Sequence, residues 1–136
     1  MITKISHVSV LVLDQDSALD FYTNKLGFEV RIDAKMGEFR WLTVGPKKQP
    51  ELELILTPIS EQMHGSKEST EQLRNLVKKG VLGGPVLECE DIYATYEELK
   101  SKGVEFTKEP TNEFYKIEAV FKDDSGNWFS LGQKKK

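Results

Sequence analysis

Few side chains in this chain of 136 residues offer reactive chemistry: two histidines, His7 and His64, and one cysteine, Cys89. An imidazole can serve as a metal ligand, a general base or a hydrogen-bond partner. His7 falls in an alternating run, where metal ligation and a hydrogen-bonded lining role are both open readings. His64 lies in a stretch with little periodicity. Cys89 has the opposite strand parity to Glu88, which turns it toward a helical layer as a small hydrophobe rather than a nucleophile. Glu88 becomes a general-base candidate only where burial raises its pKa. A lone cysteine excludes a disulfide framework and a cysteine-rich zinc site. No serine-centred elbow, Walker-type loop or dinucleotide glycine fingerprint is present, and Gly83-Gly84 precedes a strand rather than a helix. Trp41 and Trp128 suit either a ligand-binding wall or plain core packing.

These residues must be placed by regular elements, and the sequence pattern supplies them twice. In Ile5–Leu13 the residues Val8, Val10 and Val12 alternate with His7, Ser9 and Leu11, the signature of a half-buried strand. Asp14 and Asp16 offer N-cap oxygens to a helix carrying Ala18, Phe21, Tyr22 and Leu26 at helical spacing, and Gly27 stops it. Strands are expected at 28–32, 39–44 and 52–56, with a turn at Gly45–Pro50. The second half repeats the order: a strand at 85–89, a cap at Asp91, a helix face of Ile92, Thr95, Tyr96 and Leu99, a stop at Gly103, and strands at 104–106, 117–121 and 128–131. The expected architecture is α+β, a single domain over 1–136 built from two βαβββ modules, 5–57 and 82–132. The connecting loop and helix occupy 58–81, with a capping box at Ser69-Thr70-Glu71-Gln72, a stop at Gly80 and a mobile flap over Ser60–Lys67. Lys134–Lys136 reads as a frayed tail.

Composition bounds the partners. With 38% hydrophobic and 30% charged residues the chain has the balance of a folded globular protein. Net charge −3 argues against nucleic acid or an anionic membrane as partner. No apolar run reaches the ~20 residues that span a bilayer, and the apolar start of the chain alternates like a strand rather than a signal peptide. The expectation is a cytoplasmic protein that binds a small molecule.

The combination Ile5-Ser6-His7-Val8, Ala18-Leu19-Asp20-Phe21-Tyr22 and Leu26-Gly27-Phe28, with Asp123-Asp124-Ser125-Gly126-Asn127-Trp128 near the end, resembles the vicinal-oxygen-chelate superfamily. That superfamily holds glyoxalase I, bleomycin-resistance proteins and extradiol dioxygenases. The resemblance spans nearly the whole chain and implies a curved sheet around a shared cavity. It also implies a homodimer and, in the enzymes, an octahedral divalent ion with four protein ligands. Carried over, those positions are His7, Glu53 (with Glu51 as runner-up) and, in the second module, Gly84 or Gly83 and Ser130.

Glycine has no donor and serine is a poor substitute for a carboxylate, so half of the implied cage is missing. The expectation is therefore no resident cofactor, or at most a weakly held divalent metal on His7 and Glu53. With strand parity and cavity-facing ligand positions, as the resemblance implies, the pocket candidates are Ser9, Leu11, Val86, Glu88, Trp128 and Ser130. Tyr115 and Lys116 are either a pocket rim or ordinary surface. Three readings follow: a binding protein that holds an aromatic or amphipathic molecule, a metal-dependent lyase, isomerase or dioxygenase with a depleted site, and a scaffold without a ligand.

Overall fold

Residues 1–135 are described by a computed structural model. Strand β1 (His7–Val12) leads into helix α1 (Gln15–Asp20), and strands β2 (Glu29–Met36), β3 (Phe39–Gly45) and β4 (Glu53–Pro58) complete the first module. Helices α2 (Glu61–His64) and α3 (Lys67–Lys79) connect it to the second. That module consists of β5 (Leu87–Glu88), α4 (Ile92–Ser101), β6 (Glu105–Asn112), β7 (Lys116–Lys122) and β8 (Trp128–Lys134). The two sheets are separate and have equivalent strand orders, β1-β4-β3-β2 and β5-β8-β7-β6. The first and last strands of each module pair in parallel. Both β1 and β5 are thus edge strands. Among the described residues, no helix is long and apolar enough to cross a membrane.

Local chemistry accounts for the helices. The Asp14 carboxylate accepts from Ser17 N at the start of α1, and Asp91 accepts from Tyr93 N and Ala94 N at the start of α4, each satisfying free first-turn N–H groups. Helix α1 runs on into a π-helical turn, Phe21–Lys25, which buries both Phe21 and Tyr22. Gly27 and Gly103 follow the helices with φ of 76° and 88°, a left-handed turn that side chains with a Cβ resist.

The core lies between the modules on the helical side of both sheets. Val10, Val12, Leu42, Val44, Leu54 and Leu56 of the first sheet join Ala119, Phe121, Phe129 and Leu131 of the second in one apolar cluster, with Tyr22 between them. A polar latch adds direction. Asp123 Oδ1 accepts from the backbone N–H groups of Ser125, Gly126 and Asn127, while its Oδ2 receives Tyr22 Oη at 2.7 Å. Asn127 Nδ2 donates to Leu11 O at 2.7 Å, and Leu13 N donates to Ser125 Oγ at 2.9 Å. The turn at 123–127 therefore holds the end of β1 and the first helix of the other module.

Several boundaries differ from the sequence expectation. The segment expected as a flap forms α2, capped by Ser60, whose hydroxyl accepts from Met63 N. The capping box is one turn earlier than expected, between Ser66 and Ser69, because each hydroxyl reaches the other residue's backbone N–H. Strand β5 is shorter than 85–89, and β6 and β8 run further, to Asn112 and Lys134. Lys134 is thus part of a strand rather than a tail; Lys136 lies outside the described residues.

Candidate functional site

The face of the first sheet turned away from the core carries His7, Ser9 and Leu11 of β1, Glu53, Ile55 and Thr57 of β4, and Phe39, Trp41 and Thr43 of β3. Parallel register places His7 opposite Glu53 and Ser9 opposite Ile55. His7 Nε2 stands 3.6 Å from Glu53 Oε2, and Thr43 Oγ1 donates to Glu53 Oε1 at 2.6 Å. Ser9 and Thr57 hydroxyls are bonded at 2.6 Å. The His7 and Trp41 rings lie 5.9 Å apart, tilted by 57°. Ile32 and Met36 of β2 continue the face as exposed apolar residues. The result is a polar strip with an aromatic and aliphatic flank, the mixture that binds a flat ligand with a few oriented polar groups.

The corresponding face of the second sheet has a different centre. Lys108 Nζ reaches Glu113 at 2.7 Å and Glu118 at 2.8 Å. Lys116 Nζ donates to Ser130 Oγ at 3.0 Å and stands 3.5 Å from Glu118 Oε2. The Ser130 hydroxyl donates to the same Glu118 oxygen. The hydrogen bond from Lys108, aided by that from Ser130, holds the Glu118 carboxyl down to about 2, although burial opposes it. Trp128, two residues before Ser130 on the same strand face, is 41% exposed, and its ring lies against Gly83.

The residues singled out from the sequence divide into three groups. His7, Ser9, Leu11 and Glu53 share the first face. Trp128 and Ser130 share the second, by alternation along β8. Val86 and Glu88 line instead a cleft of about 1080 Å³ between the modules, walled by Phe28 and Leu99 and rimmed by Lys47. The two sheet faces and the cleft thus hold different candidates.

Of the two glycines expected at this position, Gly83 rather than Gly84 is turned away from the core. A Cβ at Gly84 would come within 2.3 Å of the Phe129 ring, on the core side, whereas Gly83 faces Trp128. The register shifts between the Gly83–Trp128 bridge and the Leu87–Leu131 pair, which defeats simple counting.

The donors that one chain brings together make an incomplete set for a divalent ion. His7 and Glu53 adjoin, but among the described residues no three His, Cys, Asp or Glu side chains converge. At Ser130 the neighbouring cation is already an ammonium, which repels a second positive charge. Cys89 is half-buried against the core, and burial pushes its thiol pKa up, away from the nucleophilic thiolate. His64 bonds locally to Ser60 in α2.

Sequence reasoning missed Lys108, Glu113 and Glu118 and left Lys116 undecided. The available signal was the alternation Lys116, Glu118, Val120, Lys122 along β7, which puts charge on one face of a strand.

The sequence model of the Glyoxalase/Bleomycin resistance protein/Dioxygenase superfamily matches residues 4–131. An uncharacterized protein, YetH, of Bacillus subtilis (strain 168) is 41% identical over 132 residues, covering 96% of this chain and 98% of the relative. The crystal structure of UcmS2 is similar with a TM-score of 0.92 and 53% identity, over 97% of this chain and 98% of that one. That of TnmS3, an antibiotic binding protein from Streptomyces sp. CB03234, has a TM-score of 0.78 and 30% identity, over 98% of each chain.

Proposed function

The chain belongs to the Glyoxalase/Bleomycin resistance protein/Dioxygenase superfamily, and from that premise we propose that it binds a small aromatic or amphipathic molecule and releases it unchanged. The observation that carries this reading is the charge network of the second face. The position where the superfamily's enzymes would place a carboxylate ligand is Ser130, and it is tied to Lys116 and Glu118. Chemistry through a metal needs open coordination positions beside several ligands. Two donors in one module, with an ammonium in the other, favour holding over transforming. The half-buried aromatic flank of Phe39 and Trp41 and the likeness to an antibiotic binding protein support a polycyclic or similarly flat ligand.

The cavity in this reading is closed by a second copy of the chain. Each sheet ends in an unpaired edge, β1 or β5. Joining the first face of one protomer to the second face of its partner gives a homodimer with two equivalent cavities. The test is titration with a panel of aromatic and polyketide-like compounds, read as quenching of Trp41 and Trp128 emission. Saturable quenching supports the reading; a panel that leaves emission unchanged refutes it.

The retained pair His7 and Glu53 favours a second reading, a metal-dependent lyase, isomerase or dioxygenase. Thermal shift with Ni, Zn, Mn and Fe(II) separates the two. A metal at a hundred times its dissociation constant stabilises the native state by about 2.7 kcal/mol; a shift abolished by His7→Ala would favour the enzyme.

A further inference from the structure

The two lysines of the second face are held differently. Lys108 is gripped by two carboxylates, Glu113 and Glu118, at 2.7 and 2.8 Å. Lys116 has one close acceptor, Ser130 Oγ at 3.0 Å, with Glu118 more distant at 3.5 Å. An ammonium carries three N–H donors, so Lys116 retains donor capacity that the protein does not fill. Ser130 gives its own proton to Glu118 and accepts from Lys116, so it positions the ammonium and has no proton left for a ligand.

The backbone is shaped around this side chain. The Lys116 stem lies across Gly132, where a Cβ would come within 2.8 Å of Cδ and 3.3 Å of Nζ. Its ammonium lies 5.6 Å from the centre of the Tyr115 ring, and the side chain is only 17% exposed. A largely buried cation, seated on a glycine and beside the Tyr115 ring, is a fixed point charge next to aromatic surface.

We propose that Lys116 is the oxygen-anchoring residue of the ligand site: it takes an anionic or strongly electron-rich oxygen of an aromatic ligand, such as a phenolate, carboxylate or sulfonate. Ser130, Glu118 and Gly132 position it. The inference rests on the ligand-binding reading above and adds the polar group that the ligand must carry. A charge-assisted hydrogen bond in a partly dry site discriminates strongly against a ligand that lacks the acceptor.

The experiment uses two dyes with the same ring system, 1-anilinonaphthalene-8-sulfonate and its uncharged parent N-phenyl-1-naphthylamine, titrated by fluorescence into the intact protein. Lys116→Met is expected to weaken the sulfonate about tenfold, a change of ~1.4 kcal/mol, and to leave the parent within about twofold. Lys48→Met, a change in the rim of the intermodule cleft, is expected to leave both dyes unaffected. Gly132→Ala keeps every charge but lifts Lys116 from its seat, and is expected to weaken the sulfonate alone. Thermal melts confirm folding, and Lys116→Gln reads the same loss of charge where the methionine variant does not fold. Equal sulfonate binding by wild type and the Lys116 variants overturns the anchor while leaving the ligand-binding reading intact. Failure of the wild type to bind either dye overturns both.

Discussion

Asn127 is the residue on which the joining of the modules can be tested most cleanly. Its side chain is 1% exposed and its amide bridges the modules, donating to Leu11 O at 2.7 Å and to Asp123 Oδ2 at 3.0 Å. Asn127→Ala removes both bonds. The Leu11 carbonyl then loses a buried donor, a cost of ~1–3 kcal/mol, and the carboxylate loses a bond of ~1.5–3 kcal/mol. Asp123 Oδ2 keeps the Tyr22 hydroxyl at 2.7 Å, which favours the lower end of each range. The sum is about 3 kcal/mol, or roughly a 10 °C fall in Tm for a chain of this size. Ser17→Ala is the control: it removes a bond of 2.7 Å to Asp124 in an exposed position, worth less than about 1 kcal/mol. Urea unfolding followed by tryptophan emission and circular dichroism measures both, with coincident transitions as the check on two-state behaviour. An Asn127→Ala protein no less stable than Ser17→Ala would refute the idea that this turn latches the modules.

Other outcomes follow from the same contacts. Gly84→Ala is expected to destabilise by ~1–3 kcal/mol, because the new Cβ meets the fully buried Phe129 ring; a melt that matches wild type would contradict the placement. Glu118 has a folded pKa of about 2, below its unfolded value near ~4.3. Its contribution is therefore present above pH ~4.3 and is lost as pH falls toward 2, so the stability gap between wild type and Glu118→Gln should shrink between pH 5 and 2. A gap independent of pH would contradict that coupling. Trp41→Ala is expected to weaken an aromatic ligand about tenfold in equilibrium dialysis, with stability less affected because Trp41 is only half-buried; unchanged affinity would remove the first face from the site.

Much of the fold was legible because its punctuation is local. Asp14 and Asp91 cap helices through bonds spanning two or three residues, and Gly27 and Gly103 take the left-handed conformation their positions imply. The alternation of Val8, Val10 and Val12 against His7, Ser9 and Leu11 fixed which side of β1 meets the core. What sequence could not give was decided by tertiary pairing. Strand β6 continues through Pro110 to Asn112 because β7 lies beside it, with pairs Thr111–Glu118 and Asn112–Ile117, although Thr-Lys-Glu-Pro-Thr-Asn has no strand periodicity. The adjacency of His7 and Glu53 was legible, and β1 and β4 bring the two into register. The charge network of the second face was not, because Lys108, Lys116 and Glu118 come from two strands whose register is invisible until they pair. The offset at Gly83-Gly84 hid which glycine faces the core.

The measurement closest to the central claim is equilibrium dialysis of the aromatic panel against chelator-treated protein, followed by mass spectrometry of the recovered compound. Saturable binding that ignores the chelator, with the compound returned at its original mass, is the predicted result. Binding that disappears with the chelator and returns with Ni, Zn, Mn or Fe(II), or a compound recovered at a new mass, would contradict it.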